Sequence, residues 1–356
     1  MTILANLSFA PTQPTGWLSY SFNLLPALKA LDIEVLSPIE IAGIKCHQSP
    51  ANITTEFGIQ GHLKRLLWTQ FHLPKFYQQL KYKLLFSPIP EAPLFSSCSY
   101  VVTVHDLIPL RFPQYFSLSQ RIYCSYYVAA VIEQSKHIIC NSKTTAQDLT
   151  SFLEVSEERI SAITLGYDSK NFCFLNLPKQ NYFLYLGRHN PHKNPARLIA
   201  AFAALPNNSN YELWLAGPSD RRYTPTLKVQ VEELGITNRV KFLEYVPYKE
   251  LPKIINGAIA LVFPSLWEGF GLPVLEAMAC GTPVITSNIS SLPEVAGDAA
   301  ILIDPYNTGE ITAAMQAVAN DANLRSHLSL QGIARAKQFS WEKTGEATAE
   351  VLSRYL

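Results

Sequence analysis

The chain has 356 residues, 48% of them hydrophobic and 16% charged, with a formal net charge of +1. That length suggests about two domains, and a charge so near zero supplies no global field to recruit nucleic acid. Six cysteines show neither a CxxC nor a Cys/His ligand spacing, which points to reduced thiols in a cytosol rather than to a disulfide framework or a metal site. The N-terminus lacks the charged start and long apolar core of a secretory signal. No run reaches the roughly 18 apolar residues of a membrane span. A cytoplasmic protein is therefore expected.

In chain order, residues 1–7 predict a weak first strand, 11–17 a loop carrying Thr15-Gly16, 18–31 a helix and 33–36 a strand. This is a strand–loop–helix–strand unit of a parallel sheet. No GxGxxG stands in the first loop, which weighs against a dinucleotide dehydrogenase. In residues 62–86, Lys64, Arg65, Lys75, Lys81 and Lys83 interleave with Trp68, Phe71, Phe76 and Tyr77. Two amphipathic helices packed on a sheet explain that stretch, and an anionic membrane surface is a second reading. Residues 100–104 predict a strand delivering His105 and Asp106. A histidine there faces the crevice in which α/β proteins bind ligands, although a lone histidine is more often satisfied by backbone. A helix over 119–133, a strand over 137–140, a helix over 142–153 capped by Ser142 and a strand over 159–165 follow.

The second half opens with a strand over 182–186. It ends in Gly187-Arg188-His189-Asn190-Pro191-His192-Lys193-Asn194. Two fixed cations in a strand-to-helix loop suit a diphosphate, with a plain solvated basic loop as the alternative. Strands over 213–216 and 240–243 lead to Gly217 and to Glu244-Tyr245-Val246-Pro247. A buried strand over 261–263 then runs into a glycine-bearing loop, 268–271, and a helix that begins near Pro273 and ends at Gly281. The amides of Phe270, Gly271 and Leu272 would sit at that helix N-terminus, a place that attracts anions. Glu268 and Glu276 frame the loop as acceptors for sugar or ribose hydroxyls. Compensation of the helix N-terminus also explains Glu276, and a glycosidase acid pair stays open because the sequence does not fix the carboxylate separation. Helices over 308–320, 324–337 and 342–356 complete the chain.

The string PSLWEGFGLPVLEAMACGTPVI, followed by SLPEVAGDAAILIDP, resembles the Glu-x7-Glu signature of the retaining glycosyltransferases of family four. VVTVHDLIPLRFP and the G-R-x-x-x-x-K-N pattern over 187–194 resemble further stretches of the same family. The resemblance implies an α/β protein of the GT-B fold, two Rossmann-like doubly wound domains facing across a cleft. It implies an acceptor-side domain over 1–168, a linker over 169–180, a nucleotide-sugar domain over 181–338, and a helix over 339–356 returning to the first domain. By the same resemblance His105, Glu268, Arg188 and Lys193 are catalytic. Gly16, the amides of Phe270, Gly271 and Leu272, Glu276 and Val246 bind the donor, Val246 at the base and Gly16 at the phosphates or toward the acceptor. Gly16 as an ordinary turn glycine stays open. Glu244 stands where the family usually shows glycine.

The implied reaction moves a hexose from a nucleoside diphosphate sugar to a hydroxyl of a glycan or lipid-linked acceptor in polysaccharide biosynthesis, with retention, no metal and no further cofactor. Similarity of VHDLIPLRFP to mannosyltransferase-like members suggests mannose. Peripheral membrane contact through 62–86 is a further expectation. A sugar-nucleotide epimerase and a non-catalytic sugar-nucleotide-binding protein are the alternatives.

Overall fold

The computed structural model describes residues 2–10, 16–28, 30–206 and 210–356, the side chains of Trp17 and Thr55 excepted. Its contacts divide the chain into two units, residues 1–166 with 341–356, and residues 167–340.

The first unit is built on seven parallel strands: β1 Ile3–Asn6, β2 Ile33–Ser37, β3 Cys46–Gln48, β4 Leu84–Ser87, β5 Tyr100–Val104, β6 His137–Cys140 and β7 Ile160–Ala162. Their spatial order is β3-β2-β1-β4-β5-β6-β7. Strands β1, β4, β5 and β6 are buried at every residue. They read as near-continuous apolar runs because a parallel sheet is covered on both faces. The helix after β1 spans Gly16–Leu24 and tightens to a 3₁₀ turn over Leu25–Leu28. It is shorter than the periodicity predicts, because Pro26 has no N–H and its ring clashes with the preceding turn. Gly16 is the first residue of that helix; the rest of the predicted loop, 11–15, lies outside the described residues.

The helix Gly58–Phe71 lies beside a helical run over 118–134 whose middle, Tyr123–Val128, is π-helical. Glu91, buried in the loop after β4, bonds to both. Arg65, 2% exposed, donates from Nε to Glu91 Oε2 at 2.7 Å and from Nη2 to Oε1 at 2.9 Å. Its Nη1 reaches the Ile53 carbonyl at 3.2 Å, and Tyr123 donates its hydroxyl to Glu91 Oε1 at 2.9 Å. Arg65 therefore leaves the set of surface cations that the sequence suggested, while Lys64, Lys75, Lys81 and Lys83 are exposed. The helix Trp341–Ser353 packs within this unit so closely that a Cβ on Gly345 would lie 2.2 Å from that of Ala27. Thr344 Oγ1 also donates to the Thr164 carbonyl at 2.9 Å.

The second unit holds six parallel strands: β8 Tyr182–Leu186, β9 Glu212–Ala216, β10 Val240–Leu243, β11 Ala260–Phe263, β12 Val284–Ser287 and β13 Ile301–Ile303, in the order β10-β9-β8-β11-β12-β13. The order reverses between β8 and β11. In doubly wound sheets ligands bind outside the carboxyl ends of the strands at that point, so the loops leaving β8 and β11 are placed to form a site.

Candidate functional site

Strand β8 feeds the loop that carries Arg188 and Lys193. The buried Tyr185 donates its hydroxyl to the Arg188 carbonyl at 2.7 Å. After β9, a Cβ on Gly217 would lie 2.0 Å from the Gly187 oxygen, so only glycine permits this approach of the two strand ends. Asn194 closes the loop in the left-handed region, φ 63°, which asparagine tolerates better than most residues. Its Nδ2 donates to the Pro264 carbonyl at 3.0 Å and the Pro305 carbonyl at 2.7 Å, and the Leu266 amide donates to the His192 carbonyl at 2.7 Å. These bonds stitch the loop after β8 to the loop after β11.

The stitching sets Lys193 against Glu268. Lys193 Nζ lies 2.6 Å from each carboxylate oxygen, and Glu268 is 7% exposed. From the other side, Ser290 Oγ accepts from the Glu268 amide at 2.9 Å and donates to its carbonyl at 2.8 Å. Ser291 Oγ bonds the carbonyls of Glu268 at 3.0 Å and Phe270 at 2.7 Å. The backbone of 268–270 is thereby fixed before the helix begins.

Gly271 then turns the chain with φ 115°, and a Cβ there would meet the Leu292 side chain at 2.8 Å. The helix spans Leu272–Ala279 and ends as the sequence predicts, at Gly281 with φ 66°. The Thr282 amide donates to the Ala277 carbonyl and the Gly281 amide to that of Met278, both at 2.9 Å. The amides of Phe270, Gly271 and Leu272 have no acceptor among the described residues. They form the anion-attracting end of the helix.

Glu276 is the fifth residue of the helix, just past its first turn, because the helix starts at Leu272. Its carboxyl has no hydrogen-bond partner among the described residues. Burial, then the Asp168 charge, push it from 4.5 up to about 8. Asp168 in turn accepts from the Tyr248 hydroxyl at 3.3 Å. A group raised in this way holds a proton in the folded state that the unfolded chain has lost. Stability therefore falls as pH rises from about 4.5 to about 8. At roughly 1.4 kcal/mol per unit, discounted for the half-buried position, about 2 kcal/mol is at stake. Glu276→Gln is expected to raise the melting temperature at pH 8 by about 4 °C, with the gain vanishing by pH 5. Paired thermal melts at the two pH values check this; a gain independent of pH would remove the desolvated carboxyl from the explanation.

Arg188 is exposed; no hydrogen bond or ion pair of its guanidinium is seen among the described residues, and its charge helps, after Arg222, to hold the Asp220 carboxyl below its ordinary range. Val246 lies half-buried in the loop after β10, between exposed Tyr245 and Pro247. Gly16 and His105 belong to the first unit. His105 follows β5 with both ring nitrogens engaged. Nε2–H donates to the Pro88 carbonyl at 2.8 Å, and Nδ1 accepts from Asn141 Nδ2 at 2.9 Å. Burial pushes its pKa down to about 4, so the ring is neutral at pH 7. Asp106 accepts from the Ile108 amide at 3.1 Å and braces its own loop.

The structure thus brings Lys193, Glu268 and the three amides to one place, with Glu276 on the helix behind them. The sequence named Asn194 only as the last position of the pattern over 187–194 and gave no role to it, Ser290 or Ser291, which hold that place together. A usable signal was present: an Asn directly before Pro195 at a helix start, and a Ser-Ser pair directly before Leu292-Pro293. Two buried polar atoms in the same loop, His189 Nε2 and Asn190 Oδ1, also have no partner among the described residues.

The family described as Glycosyl transferases group 1 matches residues 170–335, and that described as Glycosyltransferase Family 4 matches residues 20–171. The O-antigen chain mannosyltransferase B of Escherichia coli is 33% identical over 269 residues, 72% of this chain and 69% of the relative. The O-antigen chain mannosyltransferase RfbU of Salmonella typhimurium is 30% identical over 318 residues, 85% of this chain and 87% of the relative. Among solved structures, the Anabaena protein HepE in complex with UDP and glucose matches with a TM-score of 0.77 at 20% identity, covering 99% of this chain and 100% of that one. That likeness identifies the two parallel-sheet units as a GT-B fold. The chain belongs to the group 1 glycosyltransferases of family four and is a hexosyltransferase of glycan biosynthesis.

Proposed function

We propose that the enzyme transfers mannose from a nucleoside diphosphate sugar to a hydroxyl of a glycan or lipid-linked acceptor, with retention of configuration and without a metal ion. The observation that carries this reading is the meeting of Lys193, Glu268 and the amides of Phe270, Gly271 and Leu272 at the point where the second sheet reverses its order. The difficult part of the reaction is charge building on the leaving diphosphate. Lys193 and Arg188 face that charge as fixed cations, and the helix N-terminus at Gly271 adds a preorganised dipole. Glu268 accepts from a sugar hydroxyl, Glu276 from the ribose, and the backbone near Val246 meets the base. Gly16 lies by the phosphates or the acceptor.

His105 meets the sugar near the reacting carbon. It is neutral with both nitrogens engaged, so it serves by shaping the site rather than by moving a proton. The acceptor's proton then passes to the leaving phosphate oxygen on the same face of the sugar. The bond from the anomeric carbon to that oxygen breaks as the bond to the acceptor oxygen forms. Mannose is favoured by the similarity of residues 104–113 to mannosyltransferase-like members and by the two relatives named mannosyltransferases. The site of action we propose is the cytoplasmic face of a membrane, where a lipid-linked acceptor would be presented and where contact through 62–86 belongs.

A thermal-shift titration with UDP-, GDP- and ADP-sugars, without metal, tests the donor. A ligand at 100 times its Kd stabilises the fold by about 2.7 kcal/mol. GDP-mannose is expected to raise the melting temperature alone among the panel. A shift confined to a UDP- or ADP-sugar overturns mannose, and the absence of any shift overturns the donor assignment.

A further inference from the structure

His105 is gripped on three sides. Strand β5 pairs with β6 so that Val104 faces Cys140, and the residues that follow, His105 and Asn141, come out side by side. On the other flank, β4 pairs Ser87 with Val102 and delivers Pro88 directly after it. The Tyr20 ring meets the imidazole edge-on at 4.8 Å, and the Tyr20 hydroxyl lies 3.2 Å from Thr103 Oγ1. These supports are themselves held. Ser142, next to Asn141, caps the helix Lys143–Leu153 by accepting from the Thr145 amide at 3.0 Å. The loop after β4 is tied through Glu91 to Arg65 and Tyr123.

Hydrogen-bond polarity fixes which way Asn141 points. The Pro88 carbonyl can only accept, so the ring carries its proton on Nε2. Nδ1 of the neutral ring is then a lone pair, and Asn141 turns Nδ2 toward it. The same Nδ2 reaches the His105 carbonyl at 3.5 Å, a second group that only accepts. Oδ1 is left facing away, buried and without a hydrogen-bond partner among the described residues. A buried acceptor with no donor destabilises a fold. Leucine, of similar size, would carry no such defect. What the amide adds is a fixed donor to Nδ1, which selects one tautomer and one ring orientation. Titratable neighbours of the ring are Tyr20, held protonated by burial, Asp106, which braces its own loop, and Cys140, the residue before Asn141.

We propose that Asn141 is a positioning residue for the transfer: by donating to Nδ1 it holds His105 in one neutral tautomer and one orientation beside the sugar. This deepens the placement of His105 at the reacting carbon and rests on it. Turnover is read as release of nucleoside diphosphate from the preferred donor. Asn141→Leu is expected to lower kcat about ten-fold or more, the effect of a misplaced group, with little change in the KM for donor. It should melt no lower than the parent, since the orphaned acceptor is gone. In His105→Ala the further change Asn141→Leu should cost nothing, because the two side chains act as one unit. A third arm needs no turnover. Nitrogen-15 spectra of the parent should show His105 with its proton on Nε2 and a bare Nδ1, unchanged from pH 6 to pH 8. Asn141→Asp sets a carboxylate against Nδ1 and raises the ring's pKa. Its Nδ1 should then take a proton as pH falls, and its kcat should drop further below the parent's at pH 6 than at pH 8. An unchanged kcat in Asn141→Leu, an additive loss in the His105→Ala background, or a parent ring protonated on Nδ1 overturns the proposal. A melting temperature that falls in step with kcat, beside a pH profile of Asn141→Asp that matches the parent's, overturns it in favour of a structural amide. Full turnover in His105→Ala would remove His105 from the reaction and the proposal with it, and that variant alone tells this failure from the others.

Discussion

Lys193→Ala is expected to lower turnover about 10²-fold or more, the scale of removing one group that stabilises transition-state charge. It also leaves the buried Glu268 carboxylate without the cation that sits 2.6 Å from both its oxygens. Removing one partner of a desolvated pair costs more than the pair contributes. The variant should therefore melt lower as well as react more slowly. Lys193→Ala/Glu268→Gln separates the two effects, because a neutral amide needs no cation. Melting temperature should recover in the double variant and turnover should not. Steady-state rates with the preferred donor and thermal melts of all three proteins decide the matter. Unchanged turnover in Lys193→Ala removes the diphosphate assignment. Turnover restored in the double variant shows that Lys193 acted through the fold alone.

The second large effect is one of stability. Glu91→Ala strands the Arg65 guanidinium, 2% exposed, with the Ile53 carbonyl and the His62 ring as its remaining partners. Breaking such a buried pair from one side costs about 3–5 kcal/mol, whereas replacing both partners by apolar groups of similar size is often near neutral. Urea unfolding of Glu91→Ala should show that loss, and Arg65→Met/Glu91→Leu should recover most of it. A loss below about 1 kcal/mol would mean that water reaches the pair in the parent protein.

The sheets were legible at several of their central strands, with β1 the weak one. Residues 100–104, 182–186 and 260–263 are short apolar runs because both their faces are covered, and the last two are ended by Gly187 and Pro264. Strand β3, with the sequence Cys46-His47-Gln48, lies at a sheet edge and carries no such signature. In the second unit, Lys193, Glu268 and Glu276 were legible because each stands in or just beyond a loop at the end of a buried strand. Their support was not, since Asn194 reaches across 70 residues to Pro264 and Ser290 across 22 to Glu268. Those are tertiary hydrogen bonds, invisible to local spacing. The helix Gly58–Phe71 gives a sharper lesson. Periodicity reveals that an apolar stripe exists but not whether it faces the core, and here the partner that draws Arg65 inward lies 26 residues further along. His105 was singled out by its position after β5 and by the resemblance of the string around it. Its ring partners, 17 and 36 residues away, decide that it stays neutral and held.

The seat of Gly345 against Ala27 bears on the order in which the chain acquires its structure during synthesis. Residues 341–356 complete a unit that began at the first residues, while the whole of 167–340 is made in between. At 5–20 residues per second that interval lasts roughly 10–35 s. Through it the first sheet waits without one of its covering helices, whereas the second unit is continuous in sequence and can close as soon as it emerges. Expressed alone, residues 167–340 should fold. Residues 1–166 should need the segment 341–356 joined to them by a short linker.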